Sequence, residues 1–150
     1  MRFEKSTFIR ASPERVFEFH LLPDAIERLV PPWENVKLVE RADISKVGSR
    51  AVLEQRIFGI FPSRWIAEHT RYDPPRMFED VQVSGPFRSW RHMHLIEPAA
   101  GGATLTDRIE FEPPFGILGN AFSPLLVVPR LEKMFEFRHS ATKAWCENEV

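Results

Sequence analysis

The sequence predicts an α+β domain in which a curved antiparallel sheet wraps around a long C-terminal helix. Three observations carry that expectation. From about residue 35 to residue 111 the turn signals Val47-Gly48-Ser49, Gly59 to Pro62, Asp73-Pro74-Pro75, Gly85-Pro86 and Gly101-Gly102 cut the chain into strand-length pieces. Connections this short favour hairpins and a meander over crossover helices. From Pro129 onward, Leu131, Met134, Phe135, Arg138, Thr142 and Trp145 recur at steps of three and four, the spacing of one face of a helix. Two proline-punctuated helical stretches separate the first strand from the rest.

In chain order, residues 2–10 are compatible with a strand. Ser12 then offers an N-cap and Pro13 a first helical residue, with Val16, Phe17 and Phe19 as the apolar positions of a short helix. Pro23 and Asp24 start a second short helix through Ile26, Leu29 and Val30, which Pro31 and Pro32 stop. The strand region follows, and the terminal helix is expected over residues 129–147. Between them, residues 114–129 (PFGILGNAFSPLLVVP) are strongly apolar but broken by Gly116, Gly119, Pro124 and Pro129, too short for a bilayer span. Core packing is the expectation there, with a lid over a cavity mouth or transient membrane contact as the other uses. A hairpin tip carrying Phe58 and Phe61 is a second apolar feature.

At 150 residues, 43% of them apolar, the chain is one domain, residues 1–150, with material for a sizeable core. No linker, repeat or low-complexity tract divides it. A net charge of -1 with both signs interspersed lacks the basic face that nucleic acid demands, so no nucleic-acid partner is expected. The single cysteine, Cys146, has no partner for an internal disulfide, and no segment reads as a membrane span or leader, so a cytoplasmic protein is expected. Oligomeric state is not legible. Phosphate-cradling glycine loops, Gly-x-Ser-x-Gly elbows and cysteine-rich metal motifs are all missing from the sequence.

The informative stretch is residues 78–111. A strand sends alternate side chains to opposite faces, so Phe78, Asp80 and Gln82 share a face, as do Trp90, His92, His94 and Ile96, and Leu105, Asp107, Ile109 and Phe111. Each set mixes bulky apolar groups with titratable or amide groups. That mixture suits neither a plain core nor a solvent face; it suits a ligand pocket with a few converging polar groups.

Residues 9–19 (IRASPERVFEF), 78–94 (FEDVQVSGPFRSWRHMH) and 104–111 (TLTDRIEF) together resemble the START-like (SRPBCC) superfamily, and within it the small bacterial cyclase/dehydrase-like ligand-binding proteins. That module is also found fused to sugar-epimerase-like domains. The resemblance spans nearly the whole chain. It implies the helix-grip (Bet v 1/START-like) fold and an internal cavity for a hydrophobic small molecule such as a lipid, quinone or polyketide. It does not select the occupant.

The expected pocket lies between the sheet and the terminal helix, lined by Phe78, Trp90, Ile109, Phe111, Met134 and Phe135. Asp80, Gln82, His92, His94, Asp107 and Arg138 would orient the ligand. Arg138, on the apolar stripe, needs an anion such as Asp80, Asp107 or a ligand carboxylate, unless it reaches water at the stripe's edge. Asp107 is expected to accept hydrogen bonds from Trp90, His92 or Arg138. His92 and His94, two apart on a strand, could chelate a metal with Asp80 or Asp107, but no cysteine or histidine cluster supports them and paired polar groups in a cavity are usually satisfied by each other or by water, so no metal and no cofactor are expected. The alternative to a binding protein is an aromatase/cyclase-like or dehydratase-like enzyme with a histidine base, His92 or His94, oriented by an aspartate such as Asp107. A third reading is an interaction protein with a collapsed cavity, acting through the apolar hairpin tip.

Overall fold

The structure, a computed structural model, describes residues 1–57 and 59–148. Strand β1 (Arg2–Ile9) is followed by helices α1 (Pro13–His20) and α2 (Ala25–Leu29), then by strands β2 (Val36–Glu40), β3 (Arg50–Ile57), β4 (Phe61–Asp73), β5 (Met77–Ser84), β6 (Ser89–Ala99) and β7 (Gly102–Glu112). Helices α3 (Gly116–Leu126) and α4 (Val128–Asn148) complete the chain. The strands form one antiparallel sheet in the order β1-β7-β6-β5-β4-β3-β2. Sequential hairpins build it, and β1 closes it by pairing with the last strand. This is the helix-grip arrangement.

Local chemistry explains the elements. The Ser12 side chain accepts the Arg15 backbone N–H at 3.2 Å, and Pro13 opens α1, whose Val16, Phe17 and Phe19 are buried. The β6–β7 turn places Gly101 at φ 81°, and a Cβ at Gly102 would come within 2.1 Å of the Ile9 carbonyl oxygen, so β1 can approach the hairpin only over glycine. Helix α4 lies against β1 and the three other helices. Along β1 it is fixed by Lys143 Nζ donating to the Phe8 carbonyl (3.1 Å), the Arg10 N–H donating to Glu147 (2.9 Å) and a Lys5–Glu136 ion pair.

Two expectations need correction. The buried stripe of α4 is Leu131, Phe135, His139, Thr142 and Cys146, whereas Met134, Arg138 and Trp145 lie half-buried on its flank. Cys146 is therefore a core residue, packed in one cluster with Val16, Phe17 and Phe19. The segment 114–129 is not core either. Of α3 only Ser123 is buried, while Phe115 (85% exposed), Ile117 (87%), Leu118, Phe122 and Leu125 face outward. Phe61 is exposed at the β3–β4 hairpin together with Ile60, and Phe58 lies outside the described residues.

Candidate functional site

The strand registers bring the three predicted faces together. Asp80 pairs with His92 and Phe78 with His94 across β5–β6; His94 pairs with Asp107, His92 with Ile109, Trp90 with Phe111 and Ile96 with Leu105 across β6–β7. Thr7 on β1 and His139 on α4 complete the same interior. The result is layered. Phe3, Trp90, Ile109, Phe111, Leu131 and Phe135 make one apolar cluster, and Ile9, Phe17, Phe19, Phe78, Ile96 and Leu105 belong to another. Between the two, at the middle of β6, β7 and α4, runs a belt of titratable groups.

Asp107, 4% exposed, is the hub of that belt. Its Oδ1 accepts the His92 Nε2–H at 2.7 Å and its Oδ2 accepts the His139 Nε2–H at 2.7 Å. On the other side of the ring, His139 Nδ1 meets the Thr7 hydroxyl at 2.7 Å. His94 Nδ1 also lies 2.7 Å from Asp107 Oδ1, yet it has no aligned hydrogen-bond acceptor, so ionic attraction at short range holds this third contact. The His94 ring is stacked on Phe78 with centroids 3.9 Å apart, which sets its plane. Asp80 Oδ2 stands 3.5 Å from His94 Nε2 and 3.9 Å from His92 Nδ1.

Burial and charge distribute the protons. Burial opposes a charged His94, but the Asp107 carboxylate, aided by Asp80, outweighs it and raises the ring to about 9. Burial would likewise raise Asp107; the charge on His94 and the hydrogen bonds from His139 and His92 hold it well below the usual carboxylate range. His20, whose Nδ1–H donates to the Val16 carbonyl at 2.9 Å, is lowered to about 4 by burial and then by the charge on His94. The same two causes lower His92, and burial lowers His69. At neutral pH the belt thus sets two carboxylates around the His94 imidazolium, with burial pushing His92 toward its uncharged form.

The remaining predicted residues take other partners. Gln82 donates from Nε2 to the Phe87 carbonyl (2.7 Å) and accepts the Phe87 N–H (3.3 Å), clamping the β5–β6 turn. Arg138 reaches neither Asp80 nor Asp107 for a hydrogen bond. Its Nε donates to the Leu29 carbonyl at 3.2 Å, its guanidinium stands 5.1 Å from the Phe135 ring, and burial lowers its pKa. Of the three donors expected on Asp107, only His92 is there. Trp90 instead packs edge-on against Trp65 (5.0 Å) and beside Phe87 (4.8 Å). Met134 flanks the Phe135 cluster.

Sequence reasoning missed His20, His69 and His139. All five histidines of the chain are buried; His139 shares Asp107 with the pair on β6, and the His20 ring lies 5.7 Å from that of His94. The signal for His139 was its place four residues after Phe135 and eight after Leu131. Surface grooves of about 420 and 300 Å³ lie elsewhere, the first along β2, β3 and β4 and the second between α2 and β2, lined by Ile26, Val30, Val36 and Leu38. No residue predicted to line the ligand pocket borders either. Among the described residues no helix is long and apolar enough to cross a membrane.

Comparison with known proteins fits this architecture. Protein CV1439 from Chromobacterium violaceum superposes with a TM-score of 0.74 at 16% identity, covering 99% of each chain. A START superfamily protein from Mycobacterium smegmatis gives 0.71 at 14%, again over 99% of both. A nucleoside-diphosphate sugar epimerase from Corynebacterium glutamicum gives 0.68 at 22%, covering 93% of this chain and 28% of that one. These likenesses establish the fold. No curated protein matches the chain. The family model described as polyketide cyclase / dehydrase and lipid transport matches residues 1–147. Matched over nearly its whole length, the chain belongs to that START-like family.

Proposed function

We infer that the protein binds a hydrophobic small molecule of lipid, quinone or polyketide type, and that the Asp107 belt holds a polar group of that molecule. Family and fold point to hydrophobic-ligand binding. The observation that carries the finer reading is the belt itself, two carboxylates and three imidazoles between two aromatic clusters. As a device for stability it is poor. Each buried ion costs several kcal/mol of desolvation, and apolar residues of equal volume commonly stabilise as well or better. What such a belt supplies is a fixed array of donors and acceptors in a low-dielectric interior, which is what orients a ligand that is otherwise apolar.

With Asp107, His92 and His139 all buried, entry of a ligand on this reading requires part of the helical cover to move. Helix α3 has little to lose, since only Ser123 of its eleven residues is buried. The test is a saturation titration of folded protein with an environment-sensitive hydrophobic dye and with a short-chain quinone, beside native mass spectrometry of freshly purified protein. One saturable site weakened by Asp107→Asn is expected. Titrations that never saturate, together with no co-purified molecule, would overturn the reading.

An enzymatic reading has its own supporting observation: Asp107 orients two imidazoles through Nε2, the base-and-orienter pairing of general-base catalysis. On that reading a histidine abstracts a proton during cyclisation or dehydration of a bound polyketide-like substrate.

A further inference from the structure

We propose that Asp80, His92 and His94 form a binding site for one divalent transition-metal cation. Asp80, His92 and His94 each offer one ligand atom within 4.8 Å of the others, and Asp80 Oδ2 is 3.5 Å from His94 Nε2 and 3.9 Å from His92 Nδ1. Ligand bonds of about 2.1 Å in a tetrahedron set donor atoms about 3.4 Å apart, so a cation at their centre reaches all three with small side-chain shifts, displacing the proton on His94 Nε2 to solvent. Two imidazoles and one carboxylate leave at least one coordination position open, the set used for Zn²⁺ and related first-row ions in reactive sites.

Asp107 supplies the independent observation. A metal-bound imidazole characteristically donates its other ring N–H to a carboxylate, which fixes the tautomer and ring orientation. Here one carboxylate faces both rings from the far side, hydrogen-bonded to His92 and ion-paired with His94. His92 gives its Nε2–H to Asp107 Oδ1 and keeps Nδ1 toward Asp80, while His94 sets Nδ1 2.7 Å from the same oxygen and keeps Nε2 toward Asp80. Asp107 is in turn held by His139, and His139 by Thr7. Phe78 beneath His94 and Phe135 edge-on to His92 complete an apolar wall. Strand register alone produces the arrangement, because Asp80 is directly opposite His92, and His94 directly opposite Asp107. The proposal stands whether or not the small-molecule reading above is right.

The experiment uses the full chain without a histidine tag, stripped with a chelator and titrated with Co²⁺ and then Zn²⁺. With every histidine of the chain buried, none on the surface competes for the ion. One Co²⁺ per chain is expected, with the visible absorption of a low-coordinate nitrogen and oxygen site, displaced by Zn²⁺, and Zn²⁺ should raise Tm in a concentration-dependent way. Asp107→Asn should weaken binding about 10- to 100-fold by releasing the ring orientation. Asp80→Asn is nearly isosteric and at the site's most accessible ligand, so its folded state can be verified by melting, and it should lose more affinity than Asp107→Asn. No stoichiometric Co²⁺ binding by the parent chain, or Co²⁺ binding by folded Asp80→Asn equal to the parent's, would overturn the proposal.

Discussion

His139 Nε2 on α4 stands 2.7 Å from Asp107 Oδ2 on β7, so the terminal helix is fastened to the sheet by a hydrogen bond made wholly inside the core. On either side of it Phe135 and Cys146 pack into separate apolar clusters, which makes this bond the polar joint between two dry contacts of one helix.

Asp107→Ala should therefore be severely destabilising. It strips His92 and His139 of their acceptor and His94 of its counter-ion, and breaking a buried pair from one side costs about 3–5 kcal/mol. In a double-mutant cycle with His139→Gln, chemical denaturation should give a coupling energy of about 1–3 kcal/mol with Asp107→Asn. A loss below about 0.5 kcal/mol for Asp107→Ala would mean that the side chain is solvated.

How far the sequence revealed this site depends on the type of element. Strands have a period of two, and their alternation placed Phe78, Asp80, Trp90, His92, His94, Asp107, Ile109 and Phe111 on shared faces before any register was known. Helices are less explicit: a stripe drawn through Met134, Arg138 and Trp145 differs by a modest rotation from the one through His139 and Cys146, and packing against β1 settles it. Gln82 faces the predicted way, but the β5–β6 turn, whose geometry no pattern specifies, consumes its amide. Helix α3 was misread because it is apolar on nearly every side. Composition alone suggests burial there, and only tertiary structure leaves Phe115 and Ile117 outside.

Stability of the metal-free protein should be greatest near neutral pH and fall on both sides for different reasons. His20 is lowered in the folded state to about 4, so the unfolded chain binds the extra proton. Its contribution is complete above pH 6.5 and disappears as pH falls from 6.5 to about 4, a loss of roughly 3 kcal/mol. His94 is raised to about 9, so its contribution is complete below pH 6.5 and disappears as pH rises through about 9. Urea midpoints measured in chelator from pH 4 to 10 check both limbs. His20→Gln should make the acid limb shallower, the lowered His92 and His69 supplying the rest of it, and His94→Gln should flatten the alkaline limb.

The outward side chains of α3 should matter little to folding. Ile117→Ser combined with Leu118→Ser is expected to change unfolding free energy by less than about 0.5 kcal/mol, because both are mostly in solvent already. Leu131→Ala, on the buried stripe of α4, should cost about 2–5 kcal/mol in the same assay. A comparable loss for the α3 pair would place that helix in the core after all.

Binding and catalysis separate at His92 and His94. Glutamine keeps hydrogen-bonding capacity at either position but carries no proton that exchanges near neutral pH. If the rings orient a ligand, His92→Gln and His94→Gln should each weaken dye or quinone binding by about tenfold or less, the 1.4 kcal/mol of one modest hydrogen bond. If one of them is a general base, affinity should hold while turnover of a polyketide-like substrate falls by about 10²-fold or more. Metal-free protein is needed, since loss of a bound cation would lower both quantities together. The expected result is weakened binding. Three imidazoles share one carboxylate, and losing one leaves Asp107 with two partners, so the belt should persist with a weaker grip on its ligand. Turnover abolished by His92→Gln with ligand affinity intact would instead assign the ring as the base, and the Nε2–H bond to Asp107 as what keeps its Nδ1 free to take the proton.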